Sequence, residues 1–191
     1  MAMSALKRLC TAAIVRDRRG GALVEFAVLA PVLGLVLAGA VDFGGVVLTR
    51  SQIENAVSGA ANFAILNAAK VTAVDASDLG QKIAAYLGNS GGVTQATVVV
   101  NGGPTASFSG GTVSTSGSAS AAGACYCPTR DAGSGALSWG SAVTCGNACA
   151  TGGRAGKFIV VSASRNYTPL FAGYGIVSSG GISVRAVVQT E

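Results

Sequence analysis

Between Gly21 and Val41 the chain reads GALVEFAVLAPVLGLVLAGAV, an apolar run interrupted by a single carboxylate, Glu25. Residues 22–41 supply 20 positions, enough for a helix to cross a hydrocarbon core of roughly 30 Å. Beyond the run the pattern turns amphipathic. Ile53, Val57, Ala60, Ala61 and Ala64 recur at spacings of three and four, with Gln52, Glu54, Asn55 and Asn62 between them, which is the period of a half-buried helix. Together the two stretches predict one helix from residue 22 to about 69, roughly 70 Å long. Its first half suits lipid or a filament core, and Gly44-Gly45 allows a bend where it leaves the membrane. A second helix is predicted at 77–87. Ser77 is its N-cap, Leu79, Ile83 and Leu87 form its apolar stripe, and Gly88-Asn89 ends it. The period then falls to two. Val93 to Val100 is β-branched and Thr-rich. Phe158, Val160 and Ser162 alternate with Ile159, Val161 and Ala163, and Ile182, Val184, Ala186 and Val188 alternate with Ser183, Arg185, Val187 and Gln189. These are three strands of a small antiparallel sheet, whose apolar face needs the outer half of the first helix as its partner. Residues 101–156, rich in Gly, Ser, Thr and Ala, read as long loops. The expected fold class is α+β: a long N-terminal helix, membrane-spanning in its first half, carrying a C-terminal antiparallel-sheet head.

Composition sharpens this picture. Charged residues make up 11% of the 191 positions and hydrophobic ones 50%, against roughly 25% charged in an ordinary soluble domain. There is no histidine, which removes the commonest metal ligand and the commonest general base. Five of the 13 basic residues, Lys7, Arg8, Arg16, Arg18 and Arg19, precede Gly20 and face one acid there, Asp17. Most of the net charge of +5 therefore belongs to the N-terminal tip, and the remainder is near neutral and poor in aromatics. A nucleic-acid binder carries its Lys and Arg across a folded face, so nucleic acid is not an expected partner. The same asymmetry places residues 1–20 in the cytoplasm and the chain beyond about residue 45 outside.

Four cysteines, Cys125, Cys127, Cys145 and Cys149, fall in the outer part, and Cys10 falls in the basic tip. An even number outside is what a disulfide framework requires. Closing a loop of about 20 residues contributes about 3 kcal/mol, help that a loop-rich head needs. Of the three possible pairings, Cys125–Cys127 is disfavoured by proximity, and the nested set, 127–145 with 125–149, is expected. A zinc site is the rival, but CxC and CxxxC match the usual zinc knuckles poorly, so no metal is expected. Gly152–Lys157, GGRAGK, fails as a phosphate loop because Thr151 stands where glycine is needed and Phe158 where a hydroxyl is needed. Asp75 and Asp78 read as acids complementing a helix N-terminus. No catalytic residue and no cofactor is expected.

Three features of the apolar run exceed what a simple anchor needs. Glu25 costs up to about 3 kcal/mol in lipid, less near the interface, and such a group usually marks function. Pro31 deletes the hydrogen bond to the Ala27 carbonyl. Ala30, Gly34 and Ala38 recur every four residues, a spacing that lets membrane helices approach closely. The stretch Arg18-Arg19-Gly20-Gly21-Ala22-Leu23-Val24-Glu25-Phe26-Ala27, followed by Pro31, resembles the TadE-like pseudopilins of tight-adherence (Flp-type) pili. The four outer cysteines and Tyr167-Thr168-Pro169-Leu170-Phe171 resemble the same family. Phe26, where short major Flp pilins usually carry Tyr, points to a minor rather than a major subunit.

The resemblance implies a bacterial inner-membrane protein with one pass, a cytoplasmic N-terminus and a periplasmic head, reaching the pilus or cell surface if it enters the filament. It implies cleavage by a prepilin peptidase between Gly20 and Gly21, which makes Glu25 the fifth and Phe26 the sixth residue of the mature chain. It also implies assembly through Glu25 and Phe26 with other pilin and pseudopilin subunits and the pilus assembly platform. The implied organisation is a leader at 1–20, a long helix at 21–70 with the membrane part at 22–41, and an extracytoplasmic head at 71–191. The rival reading takes Ala38-Gly39-Ala40 as a signal-peptidase site with cleavage before Val41. The product would be a secreted or tethered binding module, for example for surface glycans.

Overall fold

The computed structural model describes residues 20–133, 135–175 and 177–191. Cys10, Arg18, Arg19 and the rest of the basic leader lie outside the described residues. Helix α1 spans Gly21–Leu66, 46 residues, and holds Pro31 within it. It ends at Asn67, whose backbone N–H donates to the Phe63 and Ala64 carbonyls and whose side-chain amide donates to the Phe63 carbonyl at 2.9 Å. A 3-10 turn follows at Ala68–Lys70, then helix α2 at Ala76–Asn89. The predicted N-cap is displaced: Ser77 lies inside the first turn, and the entry is organised by Thr72. Its hydroxyl accepts the Asp75 N–H at 3.0 Å and the Val74 N–H at 3.3 Å, and its carbonyl accepts the Ala76 N–H. Asp78 sits in the first turn of α2 and pairs with Lys82.

Five strands form one antiparallel sheet: β1 Gln95–Val100, β2 Thr105–Ser109, β3 Thr112–Ser116, β6 Phe158–Tyr167 and β7 Gly180–Gln189, in the order β3-β2-β1-β6-β7. A two-stranded ribbon, β4 Thr129–Arg130 with β5 Leu137–Ser138, is paired separately from it. The three predicted strands are present. The β2–β3 hairpin corrects the reading of 101–156 as loops. Gly110-Gly111, both at positive φ, is the two-residue turn that a right-twisted hairpin favours.

The core lies between one face of this sheet and the two helices. The outer half of α1 packs on β6 and β7, and α2 packs on β1 and β2. Ile53, Val57, Ala60 and Ala64 of α1 and Leu79, Ile83, Ala84 and Leu87 of α2 are buried against Ala96, Val98, Val100, Ile159, Val161 and Ala163. Period two thus selects Ile159, Val161 and Ala163 as the inward set of β6. The inner half of α1 projects away from this core, with Leu23, Phe26, Leu29, Leu33 and Leu37 all exposed.

One buried polar residue ties the irregular segment to the sheet. Asn101, fully buried and at φ +51, ends β1. Its amide nitrogen donates to the carbonyls of Ala122 (2.7 Å) and Ala124 (2.6 Å), and its side-chain oxygen accepts the Phe158 N–H (3.1 Å). Its own backbone N–H donates to the Phe158 carbonyl at 2.7 Å. A buried polar group with every partner in place specifies one arrangement, because losing any bond is costly.

Candidate functional site

The residues singled out for processing and assembly sit together at the far end of α1. Gly20 immediately precedes the helix and Gly21 opens it. Both are exposed, and a Cβ built at either would meet nothing within 4 Å. Glu25 lies just past the first turn of the helix. Val24, Val28 and Leu29 surround it, and among the described residues none forms an ion pair or hydrogen bond with it. Phe26 is also exposed. Among the described residues, residues 20–29 are all exposed along this segment.

The small-residue stripe is only partly available to a neighbour. Gly34 is exposed and open, and Ala30 is partly exposed, but Ala38 is 4% exposed. The head itself reaches down α1 to this level. The reason is a residue that sequence reasoning missed. Asp42 is fully buried. One of its carboxylate oxygens accepts the Leu170 N–H at 2.8 Å, the other accepts the Phe171 N–H at 3.0 Å, and its backbone carbonyl accepts the Tyr167 hydroxyl at 2.9 Å. Charge-assisted bonds of this kind are roughly twice as strong as neutral ones. They fasten the loop after β6 onto the helix. The available signal was that Asp42 is the sole ionisable residue between Glu25 and Arg50.

Gly45 completes the contact and corrects the predicted bend. Helix α1 runs through Gly44 and Gly45 without a break. A Cβ at Gly45 would overlap the Tyr167 hydroxyl, so this glycine serves close approach, not flexibility. Thr49, one turn further, returns its hydroxyl to the Gly45 carbonyl at 2.8 Å.

All four outer cysteines are oxidised, in pairs other than those expected. Cys125 bonds to Cys145 and Cys127 to Cys149, with Cα separations of 5.1 and 5.6 Å. A nested set would need the two antiparallel segments to continue past each other. They do not. Cys125 bridges Val143 on one side while Tyr126 bridges Gly156 on the other. The chain turns at Gly146 (φ +78) and again within the Ala148–Arg154 bridge, which carries Cys149 to Cys127 and leaves Cys145 beside Cys125. The four thiolates that a zinc site would need are consumed. In Cys125→Ser, alkylation of the unfolded but unreduced protein should label Cys145, read by peptide mass spectrometry. Label on Cys149 instead would restore the nested pairing.

The Gly20–Phe26 segment and the disulfides therefore lie in separate parts of the chain. One helix among the described residues is long and apolar enough to cross a membrane. No curated protein and no solved structure matches the chain. The family model for TadE-like protein matches residues 20–62, from the glycine ahead of α1 into its buried outer half, and that match together with the apolar helix fits a pilin-like membrane protein.

Proposed function

We propose that this chain is a structural minor pilin or pseudopilin, held in the inner membrane by the first half of α1 and cleaved between Gly20 and Gly21 by a prepilin peptidase. It then supports assembly of a tight-adherence pilus, through other pilin and pseudopilin subunits and the assembly platform, and performs no chemistry of its own. The observation that carries the reading is continuity. The Gly20-Gly21…Glu25-Phe26 motif opens a 46-residue helix whose exposed inner half is apolar and whose outer half is the spine of the head. The inner half of the helix thus offers one surface to lipid or to other helices, while its outer half is packed in the core of the head. A carboxylate in that surface is costly unless an opposite charge comes within reach. The amine freed at Gly21 of a neighbouring subunit is such a charge. The basic residues before Gly20 support a cytoplasmic N-terminus, and the disulfides support a periplasmic head.

The signal-peptidase reading fares worse on the same geometry. A cut before Val41 would sever α1 in mid-helix, remove Ala38 from beneath the head, and leave Asp42 as the second residue of a frayed end. N-terminal sequencing of membrane-extracted protein is the test. Gly21 as the first residue is the expected result. Val41 would favour the secreted module, and Met1 would remove processing from the proposal.

A further inference from the structure

The exposed apolar surface of α1 does not stop where the uncharged run stops. Large apolar side chains remain exposed from Leu23 through Val41 and on through Phe43, Val47 and Leu48. The next exposed charge is Arg50, which pairs with Glu54 one turn beyond. Beyond Glu25, Asp42 is the only ionisable group within this stretch, and its carboxylate is fully sheltered by the backbone N–H groups of Leu170 and Phe171. The loop that shelters it is itself apolar and open. Leu170 is 79% exposed, Phe171 40% and Tyr174 61%, and the Phe171 and Tyr174 rings lie 6.3 Å apart.

We infer that the 170–174 loop is a lipid-contacting element, seated at the outer boundary of the bilayer, with Leu170, Phe171 and Tyr174 in the acyl and headgroup region. The inference rests on the reading that α1 crosses a membrane. From Leu23 to Phe43 the helix rises about 30 Å, the thickness of a hydrocarbon core. The Asp42 bonds hold the loop at that height. Aromatic residues concentrate at this boundary, where a ring meets acyl chains and a hydroxyl meets water. The loop is fastened to α1 at Asp42, the neighbour in sequence of the exposed Phe43, so one occupant, lipid, can cover both. A carboxylate facing acyl chains would be costly, and the loop removes it while adding apolar area in its place.

The test uses the full chain in phosphatidylcholine–phosphatidylglycerol vesicles carrying bromines either shallow or deep on the acyl chains. The parent, with Trp139 alone, sets the baseline. Leu170→Trp and, as a second variant, Tyr174→Trp are expected to add emission that is blue-shifted and lost more to shallow than to deep bromines. Val32→Trp, in the middle of the apolar run, should lose emission chiefly to deep bromines. Leu66→Trp, at the outer end of α1, should lose none. If Val32→Trp is quenched and neither loop variant is, the loop lies outside lipid and the inference falls while the membrane span stands. Blue-shifted loop emission untouched by bromine would mean that a protein surface covers the loop, and would overturn the inference equally. An unquenched Val32→Trp removes the span and the inference with it.

Discussion

Glu25→Ala is expected to abolish piliation while leaving the subunit in the membrane and at least partly cleaved, whereas Gly20→Ala should leave the precursor uncut, about 20 residues too long by the motif position. The two substitutions act on different steps. At Gly20 a Cβ meets nothing within 4 Å, so any block arises in the protease's own recognition of the glycine and not in this chain's folding. At Glu25 the carboxylate is exposed on an apolar helix face and, among the described residues, lacks an ion-pair partner. Replacing it by alanine makes the membrane state more favourable by up to about 3 kcal/mol. The same change deletes the attraction that draws the subunit toward a freed amine. Glu25→Gln keeps the shape and loses the charge, and should behave as alanine does. The readouts are the precursor-to-mature ratio by immunoblot, crosslinking to other pilins, and a count of surface pili. Normal piliation in both fully cleaved Glu25 variants would remove the amine-pairing role. Normal cleavage of Gly20→Ala would remove the prepilin reading itself.

Asn101→Ala should be the most destabilising single change in the head, by about 4 kcal/mol, from the loss of three buried side-chain hydrogen bonds and the strain of a positive φ. The Ala122 and Ala124 carbonyls and the Phe158 N–H would each lose a partner. Water cannot readily replace it, because Asn101 and Ala122 are fully buried. The loss cannot be absorbed by local opening, since β1 is the central strand and Phe158 begins its neighbour. For a chain of this size the melting temperature should fall by roughly 10 °C, measured on detergent-solubilised protein with its disulfides intact. Asn101→Gly keeps the backbone conformation and should lose less, by about 1 kcal/mol. Asn101→Asp keeps the acceptor for Phe158 but turns a carboxylate toward two carbonyls, and should be no better than alanine. An Asn101→Ala head that melts within a degree or two of the parent would show that the Ala122–Ala124 segment is held by its disulfides alone.

The sequence by itself determined those parts of this protein that report on one element at a time. An apolar run of lipid-spanning length followed by a 3.6-residue stripe is α1, from Gly21 to Leu66. The Leu79-Ile83-Leu87 stripe is α2, and the β-branched alternations are β1, β6 and β7. Burial against a common core imposes such a period on each element separately, so the period can be read without knowing the partner. Tertiary structure alone decided whatever depends on which distant segments meet. The β2–β3 hairpin escaped because β3 is exposed along its whole length, and a strand with no buried face shows no alternation. The cysteine pairs were misassigned because turns at Gly146 and within 148–154, not the spacing of the cysteines, set which sulfurs face each other. Asp42 went unremarked, and only the fold brings Leu170, 128 positions away, onto its carboxylate. Hydrogen bonds across such separations leave no periodic trace, because each needs only one donor and one acceptor placed by everything folded between them.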